Sequence, residues 1–145
     1  MNVARILATK GTGIITIRPE QTVREAIALL AEHNIGALVA VDDRDQPVGI
    51  VSERDIVRAA ADQEAELFSL SVSELMTKDV ITGIPQDDLR VVAHTMTEKR
   101  FRHLPIVDKG KLIAIVSIGD VVKTQRDMYE GELDTLHTQI LANEV

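Results

Sequence analysis

Ile50-Val51-Ser52-Glu53-Arg54-Asp55-Ile56-Val57 returns 65 residues later as Ile115-Val116-Ser117-Ile118-Gly119-Asp120-Val121-Val122. Both copies run from an apolar β-branched stretch into Ser-x-x-Asp, a pattern that ends a strand and caps a helix. Working outward, Leu38-x-x-Val41-Asp42 returns as Leu104-x-x-Val107-Asp108, and Thr16-x-x-Pro19 as Thr82-x-x-Pro85. The offset is 66 up to Asp108 and 65 beyond it, so one residue is missing where Asp42–Pro47 shortens to Asp108-Lys109-Gly110. A hairpin turn tolerates that loss. A duplicated supersecondary unit predicts pseudo-twofold symmetry, with a cleft where equivalent edges meet. Function is expected there.

At 145 residues the chain buries one good core, whereas each half alone is marginal. No run of 18 apolar residues predicts a membrane span, and Met1-Asn2-Val3-Ala4-Arg5 does not read as a secretory signal. With no cysteine there is neither disulfide nor thiolate chemistry, and the cytoplasm is the expected compartment. A net charge of −7 opposes binding to nucleic acid phosphates. One Tyr, two Phe and no Trp provide no stacking platform for single strands.

Each repeat reads strand, helix, strand, strand, helix. In the first, Ile14–Ile17 is a strand, and Thr22 with Glu25 forms a capping box. Val23, Ala26, Ile27, Leu30 and Ala31 then recur at helical spacing as far as Asn34-Ile35-Gly36. Strands follow at Ala37–Val41 and Val48–Val51, and a helix from Ser52 to about Ala61. The second repeat predicts strands at Val80–Thr82, His103–Val107 and Lys111–Val116, with helices at Asp88–Arg100 and from Ser117. The expected division is 1–62 for the first repeat, 63–71 for a polar linker, 72–125 for the second repeat and 126–145 for a helical tail. Ser71–Met76 resembles Asn2–Leu7, so a short helical lead-in precedes each repeat. In the tail, Leu133, Leu136 and Ile140 make an apolar stripe that either packs on its own domain or meets a second copy.

Ser-x-x-Asp is first of all a helix cap. Its recurrence at the same point of both repeats adds a second role. A helix N-terminus suits anionic groups, and a carboxylate there can take two hydrogen bonds from a vicinal diol. In the basic run Lys99-Arg100-Phe101-Arg102-His103, Lys99 belongs to the solvated helix surface. Arg102 and His103 enter a strand and are phosphate-binding candidates.

The duplicated Val-Ser-x-x-Asp junction, with Arg102-His103-Leu104-Pro105-Ile106-Val107-Asp108 before the second copy, resembles tandem cystathionine-beta-synthase (CBS) domains. The likeness covers about residues 2 to 125. It implies an α/β (α+β) fold of two pseudo-twofold-related β-α-β-β-α units packed as one module, a Bateman module, followed by a C-terminal helical tail. It also implies a regulatory protein, not an enzyme, that binds an adenosyl small molecule: AMP, ADP, ATP or NAD, with S-adenosylmethionine ranked behind them. In such proteins the aspartate holds ribose hydroxyls, the serine lies near ribose or phosphate, and strand residues clasp adenine. Carried over, this assigns Asp120, Ser117, Ile81, Thr82, His103 and Pro105 to one site, and Asp55, Ser52, Ile15, Thr16 and Ala37 to the other. The resemblance further implies a homodimer formed through Gln21–Asn34 with Ser52–Ala61 and Asp88–Arg100 with Ser117–Met128, acting on a regulated enzyme or transporter.

Arg100, Arg102 and His103 align with Asn34, Gly36 and Ala37, while Arg54 aligns with Gly119. The two sites are therefore expected to differ, with the main one in the second repeat and Arg54 and Arg102 on its phosphates. Lys10-Gly11-Thr12-Gly13 reads as a flexible turn, with Lys10 a phosphate candidate for the weaker first-repeat site. Nothing points to a catalytic or metal residue. His94 and Glu98 have no third ligand, and Asp42, Asp43 and Asp45 lack calcium-loop spacing. The rival readings are a nucleotide-using enzyme and a structural adaptor.

Overall fold

The computed structural model describes residues 1–143. Its elements are α1 (Val3–Lys10), β1 (Thr16–Ile17), α2 (Val23–His33), β2 (Ala37–Val41), β3 (Pro47–Ser52), α3 (Glu53–Asp62), a 3₁₀ turn (Leu67–Ser69), α4 (Val72–Leu75), α5 (Leu89–Lys99), β4 (His103–Asp108), β5 (Lys111–Ser117) and α6 (Ile118–Asn143). They form two compact units. One combines Thr12–Gly83 with Leu104–Ile115 and holds the strands; we call it the sheet unit. The other, the helical unit, combines Met1–Gly11, Ile84–His103 and the chain from Val116 onward. Each unit therefore takes segments from both repeats.

In the sheet unit, β1 pairs parallel with β2 (Thr16↔Val39, Ile17↔Ala40), and β2 pairs antiparallel with β3 (Ala37↔Ser52 through Val41↔Pro47). All five residues of β2 are buried. Alternation along the strand gives it two apolar faces. Leu38 and Ala40 join Ile17, Val23, Ala26, Leu30, Val51 and Ile56 in the principal core. Val39 and Val41 face the β4–β5 hairpin through Leu112, Val107 and Ile115.

The local signals explain the helix boundaries. Thr22 Oγ1 accepts from the Glu25 amide at 3.2 Å while the Thr22 amide donates to Glu25 Oε2 at 2.9 Å. Asn34 closes α2 in the left-handed conformation (φ 52°), and Arg100 closes α5 in the same way (φ 57°). The shorter hairpin turn has positive φ at both Lys109 (52°) and Gly110 (78°), the backbone of a two-residue type I′ turn. That accounts for the residue missing from the second repeat. In the longer turn, Asp42 Oδ1 accepts from the amides of Gln46 (3.0 Å) and Arg44 (2.9 Å). These bonds hold its carboxyl below the usual carboxylate range.

Two expectations need correction. The predicted strand Val80–Thr82 does not form; only an isolated parallel bridge links Gly83 and Ile106. The Gly83 amide donates to the Pro105 carbonyl at 2.9 Å, and the Val107 amide to the Gly83 carbonyl at 2.8 Å. One step back, the ladder needs an N–H from residue 105, which is proline and has none. The first repeat has Val39 at that place, and β1 forms. Second, the segment 63–71 is more than a polar linker: Leu67 and Leu70 are buried in the principal core. The expected helical tail is present and continues the last helix of the second repeat, since α6 runs unbroken through Gly131 from Ile118 to Asn143. Residues 144–145 of the expected tail lie outside the described residues.

The lead-ins expected before each repeat are present as α1 and α4, and they cross over. The amides of Val3 and Ala4 donate to the carbonyls of Asp87 (2.9 Å) and Pro85 (2.8 Å), and the Leu89 amide to the Met1 carbonyl at 3.1 Å. The equivalents hold α4: Val72 and Ser73 donate to Gln21 (2.8 Å) and Pro19 (2.9 Å), and Val23 to Leu70 at 2.8 Å. The lead-in of each repeat thus docks on the other repeat. No helix among the described residues is long and apolar enough to cross a membrane.

Candidate functional site

The two Ser-x-x-Asp elements sit at strand–helix junctions, β3 to α3 and β5 to α6. At the first, Asp55 Oδ2 accepts from the Ser52 amide (2.9 Å) and hydroxyl (3.0 Å), and the Asp55 amide donates back to Ser52 Oγ at 3.3 Å. This is a complete cap. Ala37 stands opposite Ser52 on the neighbouring strand, and Thr16 pairs with Val39 one strand further. The sheet unit therefore holds Ser52, Asp55, Ala37, Thr16 and Ile15 together on three adjacent strands and the start of α3. The main-chain bond from Glu53 to the Gly36 carbonyl, 3.0 Å, ties the helix start to β2.

The second junction lies in the helical unit and differs in charge. Asp120 Oδ2 accepts from the Ser117 amide at 2.8 Å, and the Asp120 amide donates to Ser117 Oγ at 3.1 Å. The same oxygen also receives the Lys10 ammonium at 2.7 Å. Lys10, assigned to the first repeat's site by the sequence reading, thus belongs beside Asp120; Asp55 lies in the sheet unit. Burial is the largest single influence on the Asp120 carboxyl and raises its pKa. Lys10 and the Ser117 amide together outweigh it, and the net shift is downward. Asp120 is therefore ionised at neutral pH, and the bonds from the Ser117 amide and from Lys10 both fall on Oδ2. A carboxylate offers about four lone-pair sites, so acceptor capacity remains for hydroxyl donors.

Arg102 and His103 share the helical unit, and the Arg102 carbonyl accepts from the Ile118 amide at 2.8 Å. That bond fixes the start of β4 against the first turn of α6. The Arg102 guanidinium is exposed, with no ion-pair partner among the described residues. Ile81, Thr82, Pro105 and Arg54 lie in the sheet unit. Pro105 is fully buried, Ile81 half-buried, and Thr82 and Arg54 exposed. No group of three or more His, Cys, Asp or Glu among the described residues could hold a metal ion. The Lys10 contact had no signal in the sequence: its partner is 110 residues away, and no ion pair is formed by Asp55, the equivalent aspartate, among the described residues. Only the crossed docking of α1 brings it there.

Residues 4–62 and 72–127 each match the CBS domain, and the chain belongs to the family of CBS-domain proteins. Among solved structures, it is similar to a CBS-domain containing protein of Agrobacterium tumefaciens, at 39% identity and a TM-score of 0.82 over 86% of this chain and 99% of that one. The CBS domain pair of protein MJ0100, solved with 5′-methylthioadenosine and S-adenosyl-L-methionine, is 28% identical, with a TM-score of 0.76 over 91% of this chain and 98% of that one. CBSX2, solved with AMP, is also 28% identical, with a TM-score of 0.72 over 88% and 98%. The share of a relative's own length that is matched runs from 82% in YhcV of Bacillus subtilis, 33% identical over 81% of this chain, down to 22% in the inosine-5′-monophosphate dehydrogenase of Methanocaldococcus jannaschii, 34% identical over 78%.

Proposed function

We propose that the chain is a regulatory module that binds an adenine nucleotide of the AMP, ATP or NAD type and passes its occupancy to a partner, without turning the nucleotide over. The observation that carries this reading is the Asp120 carboxylate: ionised, oriented by the Ser117 amide, with an ammonium at 2.7 Å. A carboxylate held in this way at a helix start suits a ribose diol. Lys10 and the free guanidinium of Arg102 suit the phosphate that follows it. His103 completes this set as a further donor. Complexes of two structural neighbours with adenosyl ligands support the ligand class. The positive charge beside the carboxylate favours anionic ligands over S-adenosylmethionine, whose sulfonium is cationic.

Asp55 with Ser52, Ala37, Thr16 and Ile15 forms the weaker second site, since no cation meets Asp55 among the described residues. Assembly with a second copy is part of the same reading. Val57 and Val122, equivalent positions on α3 and α6, are 69% and 54% exposed, as an apolar helix contact requires. Any signal then arises from differential affinity of the ligand for two arrangements of the protein.

Calorimetric titration with AMP, ATP, NAD and S-adenosylmethionine, followed by chromatography of the recovered ligand, tests the proposal. Saturable binding of the anionic ligands, recovered intact, is expected. Absence of binding to all four ligands, or conversion of any of them, overturns it.

A further inference from the structure

We infer that the C-terminal half of α6 is a self-association seam on which a second copy of this chain lies antiparallel. The inference does not depend on nucleotide binding, and it concerns a different surface from the Val57 and Val122 faces. Tyr129, Leu133, Leu136 and Ile140 follow one another at intervals of four, three and four residues. That is the spacing of an a/d stripe, which packs best against another stripe of the same period. All four are open to solvent, by 63%, 47%, 53% and 49%, and Leu141 beside them by 51%. Five large apolar side chains are thus left uncovered on one helix.

Charge sets the occupant and its direction. Asp127, Glu130, Glu132 and Asp134 crowd the first part of this segment, while residues 135–143 contain no Asp, Glu, Lys or Arg. A parallel pair would place carboxylates against carboxylates. An antiparallel pair lays each acidic part on the partner's neutral part, with Leu133 opposite the partner's Leu136 and Tyr129 opposite the partner's Ile140. Glu130 then comes beside the partner's His137. The same acidic residues oppose an anionic lipid surface. At about 150 Å² per side chain, about half of it exposed, these five side chains offer about 400 Å² per copy. The pair would bury about 800 Å², below the roughly 1,000 Å² of a standing interface. A weak dimer that dissociates on dilution is the consequence.

Sedimentation velocity of the full chain from about 1 to 200 μM measures this directly. Leu136→Glu should raise the dissociation constant at least tenfold, with the circular dichroism of the monomer unchanged. Because the chain has no cysteine, pairing direction can be read from Leu133→Cys and Leu136→Cys proteins, one carrying a size tag, mixed under mild oxidation. The mixed disulfide should exceed both like-with-like products. A monomer at 200 μM overturns the inference, whether or not it sediments with vesicles of neutral and anionic lipid. So does predominance of like-with-like products. A dimer indifferent to Leu136→Glu also overturns it, and leaves the helix-face assembly proposed above as the one at work.

Discussion

Replacing Lys10 with methionine isolates the contact that makes the two junctions unlike. Methionine keeps most of the apolar stem and removes the ammonium. Two unit charges at 2.7 Å attract by about 1.5 kcal/mol in water and about 6 kcal/mol at an effective dielectric constant near 20. The side chains are 40% and 28% exposed, and a lysine must be ordered to hold the contact, so the lower end applies. Pairs of this kind contribute about 0.5–1 kcal/mol. The variant should lose that amount at pH 7 and low salt, which lowers Tm by about 1–4 °C for a chain of this size. The pH dependence has a definite sign. Asp120 has a lowered folded-state pKa, so its contribution is complete above the unfolded carboxyl value near 3.8 and is lost as pH falls through the lower folded value. Stability of wild type and variant should therefore converge in acid. With Lys10 gone, burial is opposed only by the Ser117 amide and hydroxyl, and the Asp120 carboxyl should titrate at higher pH. Carbon-detected NMR of its Cγ would show this directly, and denaturant melts from pH 7 to pH 2 would show the convergence. A constant stability gap across that range, or an unmoved Asp120 titration, would refute the reasoning.

Asp120→Ala should weaken AMP by roughly ten- to hundredfold, from lost hydrogen bonds to a charged acceptor; Asp55→Ala should cost clearly less, and equal losses in calorimetry would contradict the assigned asymmetry. Gly49→Ala places a new Cβ about 2.8 Å from Met76 Cγ and should destabilise by about 1–3 kcal/mol. Adding Met76→Ala should recover most of the Gly49→Ala loss in a double-mutant cycle, and strict additivity would argue against the clash. Thr22→Ala removes the α2 cap and should cost about 1 kcal/mol in urea melts without altering AMP affinity.

What was legible in the sequence was whatever local chemistry decides. The boxes at Thr22 and Ser52, the ends of α2 and α5 near Asn34 and Arg100, and β2 as an uninterrupted apolar run were all written in neighbouring residues. The failures come from distant partners. Val80–Thr82 has a strand-like composition, but its would-be neighbour Pro105 cannot donate the bond that would extend the ladder. Leu67 and Leu70 looked incidental in a polar stretch until the core beneath them was seen. A glycine costs only about 1 kcal/mol in a helix, and α6 continues through Gly131. The site divides in the same way: the two aspartates announced themselves by repetition, whereas Lys10 arrives from a lead-in helix whose docking place no periodicity encodes.

That crossing has a consequence for taking the molecule apart. A fragment cut after residue 66 would carry α1 but lose Pro85 and Asp87, its docking strip; the complementary fragment would carry α4 without Pro19 and Gln21. Neither piece could satisfy its leading backbone amides alone, yet each brings what the other lacks. Severed halves made together should therefore recombine into a native-like whole, whereas either half made by itself should be an incomplete, aggregation-prone remnant.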